Sequence, residues 1–160
     1  MLKIKDLFFA KVLFFLSFIT LSSALFIEHV LGHPPCSLCV FQRIPYIVCF
    51  FICGIFLIFK NFDKFFLYSI LIIFLIAFIL SFYHVGLEQG FFKESFLCST
   101  STQEFEKPYE LLKELKPLQI SCKNITFRLL GFSLATLNLI LSLAIMFITI
   151  NSLVNYEKYK

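Results

Sequence analysis

Hydrophobic and polar positions divide this chain into long apolar blocks separated by short polar ones. Four blocks stand out: Leu7–Ile27, Val40–Phe59, Phe65–Val85 and Leu129–Ile150. Each is close to the ~20 residues that a helix needs to cross ~30 Å of hydrocarbon. Exceptions within them are few: Lys11 near the start of the first and small hydroxyl residues after it, Gln42, Arg43 and Pro45 in the second, Tyr83-His84 at the end of the third, Asn138 in the fourth. An unpaired backbone amide is too costly in lipid, so these blocks are expected as helices. A weaker pattern follows in 108-PYELLKELKPL-118. Leu111, Leu112, Leu115 and Leu118 share one stripe at helical spacing, and Pro108 suits a first helical position. This segment is expected as a short amphipathic helix, lying in the membrane interface or capping the bundle in solvent.

Composition points the same way. Of 160 residues, 59% are hydrophobic, 15% are charged and 24 are Phe, with a mean hydropathy of +0.90. A soluble domain is nearer 45–50% apolar and about 25% charged. The expected fold class is therefore an all-α integral membrane protein, a four-transmembrane-helix bundle in the lipid bilayer forming one domain over 1–160. Net charge is +4. No basic cluster interleaves with aromatics, which argues against nucleic acid as a partner.

Lysines in short connections set the orientation. Lys3, Lys5 and Lys11 surround the start of the first span, Lys60 and Lys64 bracket the connection to the third, and Lys158 and Lys160 close the chain. With four spans all three places share one side, the cytoplasmic one. Two loops, 28–39 and 86–128, then fall on the periplasmic side. The longer one has five Lys against six acidic residues between Gly86 and Phe127, and so no positive excess. The first block also has the basic start of a signal peptide. It is longer than a usual signal core, and its removal would disturb this charge pattern.

That layout sorts the six cysteines. Cys36, Cys39, Cys98 and Cys122 fall on the outer side, where disulfides persist. Cys49 and Cys53 fall inside the second span and read as small apolar packing residues. Three readings of the outer four stay open. Two inert disulfides are one, although a bridge across Cys36–Cys39 closes a loop too small to stabilise much. A metal site is the second: His29 and His33 lie near the pair, but a zinc ribbon wants a second Cys-x-x-C, which the chain lacks. No metal ligand is assigned on that basis. The third is a thiol relay, in which one pair reaches a water-side partner and the other, at the membrane edge, reaches an acceptor dissolved in lipid. Cys-x-x-C at a helix start suits this, because the helix N-terminus stabilises a thiolate.

Arg43 stands one helical turn beyond Cys39, on the same face. A cation in a span is costly and tends to be functional; the plain alternative is an arginine snorkelling to lipid phosphate. His84, at the outer end of the third block, either lines the same pocket or anchors the interface.

Taken together, Pro35-Cys36-x-Leu38-Cys39-x-x-Gln42-Arg43, the four spans and the later pair Cys98/Cys122 resemble the bacterial disulfide bond formation protein B (DsbB) family. The segments 83-YHVGLEQGFF-92 and 130-LGFSLATLN-138 are similar to its compact branch. The resemblance spans essentially the whole chain. It implies a quinone-dependent thiol oxidase of the inner membrane that reoxidises a periplasmic thioredoxin-like (DsbA-type) protein, as in the DsbA–DsbB–quinone system that keeps the periplasm oxidising. By the same resemblance Cys98 takes the mixed disulfide with the partner and Cys122 relays to Cys36. Cys39 is then the thiolate facing the quinone, ubiquinone or menaquinone, with Arg43 and His84 as cofactor-binding residues. Two rival classes remain. A vitamin K epoxide reductase-like protein has its loop pair before the Cys-x-x-C span, the reverse of the order here. A heme- or metal-handling membrane protein would use His33, His84 and the cysteines.

Overall fold

The computed structural model describes residues 2–59, 64–93, 98, 122, 127–129 and 131–158. The segment 108–118, expected as an amphipathic helix, lies outside them. The described chain consists of five helices and one short hairpin. They are α1 (Leu2–His29), α2 (Ser37–Phe41), α3 (Arg43–Phe59), α4 (Lys64–Glu88), β1 (Arg128–Leu129), β2 (Phe132–Ser133) and α5 (Leu134–Lys158). Four spans are long and apolar enough to cross a membrane: Leu7–His29, Ser37–Phe59, Lys64–Glu88 and Leu134–Asn155. The protein is an all-α, four-span membrane bundle. Helix α1 packs along α3, α4 packs along α5, and α3 joins the two pairs through α4.

The bundle shows large apolar side chains to its surroundings. Phe65 is 81% exposed and Ile58 74%, which is tolerable only where the surroundings are hydrocarbon. Inside, small residues let the helices approach, as is usual where lipid removes the hydrophobic drive for association. Ala10 and Ala77 are fully buried beside Cys49 and Cys53, with Leu13, Ile70 and Phe74 filling the rest. Two buried hydroxyls are satisfied within their own helix: Ser81 Oγ donates to the Ala77 carbonyl at 2.7 Å, and Thr149 Oγ1 to Ile145 at 2.7 Å. Between α3 and α5 the Tyr46 hydroxyl donates to Asn138 Oδ1.

Two boundaries differ from the hydropathy pattern. The second span is broken between α2 and α3 at Gln42. Pro45 is the cause: in an unbroken helix its nitrogen would bond the Phe41 carbonyl, and proline has no N–H to give. In the first turn of α3 that missing donor costs nothing. The fourth span begins at Leu134, because Arg128 pairs with Ser133 and Leu129 with Phe132 in an antiparallel ladder. Ser133 then caps α5, its Oγ accepting the Thr136 N–H at 3.2 Å, the standard N-cap arrangement.

Helix α4 ends in a Schellman motif. The Phe91 N–H bonds the Gly86 carbonyl at 2.8 Å, the Gly90 N–H bonds Leu87 at 3.1 Å, and Gly90 has φ +78°, the left-handed geometry that favours glycine. The chain folds back so that Phe92 lies on Gly86 and stacks on Tyr83, with ring centroids 5.6 Å apart. A Cβ at Gly86 would lie 2.2 Å from the Phe92 ring, so this return path exists only because residue 86 has no side chain.

Candidate functional site

Cys36 is the N-cap of α2, and Cys39 occupies the first turn, donating its N–H to Cys36 Sγ at 3.2 Å. The two sulfurs, both free thiols, share a hydrogen bond at 2.7 Å. The hydrogen bond from Cys39 holds the Cys36 thiol far below its ordinary range, at about 4; His84 adds to the effect and burial opposes it. A thiolate at a helix N-terminus with a donor on each side is the expected low-pKa arrangement.

His84 comes to this pair from α4. Its Nε2 lies 3.6 Å from Cys36 Sγ, and its Nδ1 lies 3.1 Å from Gln42 Nε2. With the Gln42 amide donating to Nδ1, the imidazole carries its proton on Nε2 and directs it at Cys36. Glu88, one turn further along α4, places Oε1 3.8 Å from His84 Nε2, while its Oε2 accepts from Ser133 Oγ at 2.5 Å. The cap of α5 is thus tied through Glu88 to the imidazole beside the cysteines.

Cys98 and Cys122 form a disulfide, with Cα atoms 5.5 Å apart across 24 positions. It is buried in one cluster with Cys36, Leu38 and Leu87, against which Cys39 and Tyr83 pack. The fold therefore gathers Cys36, Cys39, Cys98 and Cys122 at one end of the bundle. Cys49 and Cys53, 3.8 Å apart at sulfur, sit in the central core instead.

Beside Cys39 lies a cavity of about 310 Å³, within the size range of small-molecule sites. Its walls come from α1 between Ile19 and Ile27 and from α5 between Leu134 and Leu141; its roof includes Pro34, Pro35 and Phe127. Cys39, Gln42, Arg43 and Tyr46 line the side formed by the second span. Arg43 Nη1 donates to Glu28 Oε2 on α1 at 2.6 Å, which anchors the cation at the cavity. His33 also lines the cavity and packs on Phe127. His29 hydrogen-bonds the Leu25 carbonyl in its own helix.

Of the residues singled out in the sequence, Cys39 and Arg43 share the cavity, whereas His84 is not among its lining residues. It stands on the Cys36 side, 3% exposed. Glu28 and Glu88 were not singled out, and Gln42 entered only as a member of the motif, with no role of its own. Gln42 carried a signal, being polar within an apolar run. Glu88 is one turn from His84. Glu28 offered none.

The fold and site define a class: a polytopic membrane protein with a Cys-x-x-C helix cap and a second cysteine pair at the same end. Comparison with known proteins identifies the family. Residues 7–151 match the family model "Disulfide bond formation protein DsbB", and the chain belongs to that family, as a membrane protein of disulfide-bond formation. It is similar to "Uncharacterized protein RP370" of Rickettsia prowazekii (strain Madrid E), with 32% identity over 139 residues covering 84% of this chain and 80% of that protein. No solved structure matches the chain.

Proposed function

We propose that this protein is a thiol oxidase that takes electrons from a periplasmic thioredoxin-like dithiol protein and delivers them to a membrane quinone. The observation that carries the reading is the position of the Cys36/Cys39 pair between two different neighbours. Cys36 is packed in the cluster that contains the Cys98–Cys122 disulfide, and Cys39 faces the cavity. A single helical turn thus separates a protein-facing sulfur from an acceptor-facing one.

The exchanges balance as disulfide transfers. A partner thiolate attacks Cys98, forming a mixed disulfide and releasing Cys122 as a thiolate. The second partner thiol resolves that bond and leaves the partner oxidised and Cys98/Cys122 reduced. In the oxidised Cys36–Cys39 pair, Cys122 attacks Cys36 and releases Cys39 as a thiolate toward the cavity. Cys98 then completes the loop disulfide and leaves Cys36/Cys39 as the dithiol. His84 holds a proton at Nε2, 3.6 Å from Cys36, where it stabilises the thiolate on that sulfur.

A quinone fits the cavity by chemistry: the walls are largely aliphatic, and Arg43 and Gln42 supply donors to carbonyl oxygens. Bound there, it supplies a two-electron, two-proton acceptor. The chain's own part is to orient it, to hold a cation where negative charge develops, and to keep Cys39 at the same wall. Both termini are placed on the cytoplasmic side and the four cysteines on the periplasmic side, on the lysine distribution. The family match supports a disulfide oxidoreductase over a heme- or metal-handling protein.

The test is quinone reduction by purified protein supplied with a reduced thioredoxin-like partner. Cys36→Ser and Cys98→Ser should each abolish turnover. Cys122→Ser should accumulate a mixed disulfide with the partner through Cys98, whereas Cys98→Ser should not. Equal trapping by both variants would reverse the assigned order.

A further inference from the structure

Cys36 Sγ, Cys39 Sγ and His84 Nε2 all lie within 4.8 Å of one another. In the dithiol state these are the donors of a Cys₂His metal site. We propose that the reduced Cys36/Cys39 pair with His84 binds one thiophilic divalent cation of the zinc class, and that oxidation of the pair abolishes the site. This rests on the reading that Cys36/Cys39 cycles between dithiol and disulfide.

The geometry carries it. Tetrahedral coordination at ~2.3 Å to sulfur and ~2.05 Å to nitrogen sets S···N at ~3.6 Å and S···S at ~3.8 Å. Cys36 Sγ and His84 Nε2 are already 3.6 Å apart. The sulfurs stand 2.7 Å apart, so they must open by roughly 1 Å, which side-chain torsions supply within a staggered well. The outer surroundings are those of a metal site as well. A metal-bound histidine normally gives its other nitrogen to a hydrogen-bond partner, and Gln42 stands 3.1 Å from Nδ1. Rotating its amide by half a turn puts Oε1 there to accept an Nδ1 proton. Glu88 Oε1, 3.8 Å from Nε2, stands where a carboxylate or a water held by it completes four-coordination. His84 and Cys36 are 3% and 6% exposed, which shields the site, while Cys39 opens on the cavity and gives an ion its way in. Binding exchanges the thiol proton that the pair still holds, on Cys39, for the cation, and it leaves neither sulfur free to form a disulfide. Forming the disulfide removes both thiolates and releases the cation. The site is thus a brake on the dithiol state.

The test uses Co²⁺ alone on detergent-purified protein stripped of metal, with no quinone or partner present. Reduced with a phosphine, the protein should bind one Co²⁺ with sulfur-to-metal charge-transfer absorption and the intense visible bands of a tetrahedral site, and Zn²⁺ should displace it. The oxidised protein should show neither. Cys98→Ser/Cys122→Ser should retain the spectrum, whereas Cys39→Ser and His84→Ala should lose it while keeping native helix content. Gln42→Ala should weaken affinity about 10–100-fold. A reduced protein without the spectrum overturns the proposal. So does a spectrum that survives oxidation or Cys39→Ser, or one that vanishes in Cys98→Ser/Cys122→Ser. Because this readout needs no turnover, a failed quinone assay with an intact Co²⁺ spectrum would count against the oxidase reading alone.

Discussion

Arg43 shows how one side chain serves two neighbours. Its guanidinium is fixed by Glu28 and also lines the cavity with Cys39. Replacement by Met removes a cation from a largely apolar site, where losing one charge-stabilising donor typically costs ~10²–10³ in rate. We expect Arg43→Met to reduce quinone turnover toward that range with all disulfides intact. Arg43→Lys should be intermediate, because the charge stays and the planar fork goes. Glu28→Gln is the informative control in steady-state quinone reduction: a loss equal to that of Arg43→Met would mean that the ion pair, and not the cation, is what the site needs. The Cys-x-x-C and the Arg were legible in the chain because each breaks a local rule, a redox pair at a span edge and a charge inside a span. No role was read for Glu28, Gln42 or Glu88, since each bonds a partner 15, 42 or 45 positions away, a distance no periodicity reports.

Among the elements, the end of α4 is the most constrained. The Phe92 ring occupies the space that a side chain on residue 86 would need. Gly86→Ala must push the ring off Tyr83, an overpacking that usually costs ~1–3 kcal/mol. A thermal melt in detergent should show a lower midpoint, and Phe92→Ala placed on top should recover most of the loss. Additive losses would show that the two residues are not coupled. Between α3 and α5 the Tyr46–Asn138 bond is a smaller element. Interhelical bonds in membranes average ~0.6 kcal/mol with a maximum near 1.7, so Tyr46→Phe should cost about that much in the same melt. At this scale the number of spans was legible from hydropathy, and their ends less so. Pro45 sat in plain view as a polar exception within an apolar block, yet only the broken hydrogen bond to Phe41 makes it a joint. The last span starts five residues late because 129–133 is long enough and apolar enough to pass for helix, while its backbone pairs as a hairpin.

For the whole molecule, orientation follows from charge. Both ends of the chain should face the cytoplasm, and a membrane-impermeant thiol reagent should label Cys98 and Cys122 in intact, reduced spheroplasts; labelling only after permeabilisation would invert the layout. The cavity has a consequence of its own. It is walled by α1 and α5, two helices from different packed pairs, over roughly 10–12 Å of each at 1.5 Å per residue, and Ile19 on that wall is 58% exposed. A slot between two such helices in the plane of the bilayer is open sideways, through acyl chains, to a molecule dissolved in the lipid. For the proposed oxidase, the effective concentration is then the mole fraction of acceptor in the surrounding lipid. Diluting the bilayer with inert phospholipid, at fixed protein and fixed total acceptor, should lower the rate in proportion below saturation, while diluting the suspension with buffer should leave turnover per protein unchanged for an acceptor that stays in the bilayer.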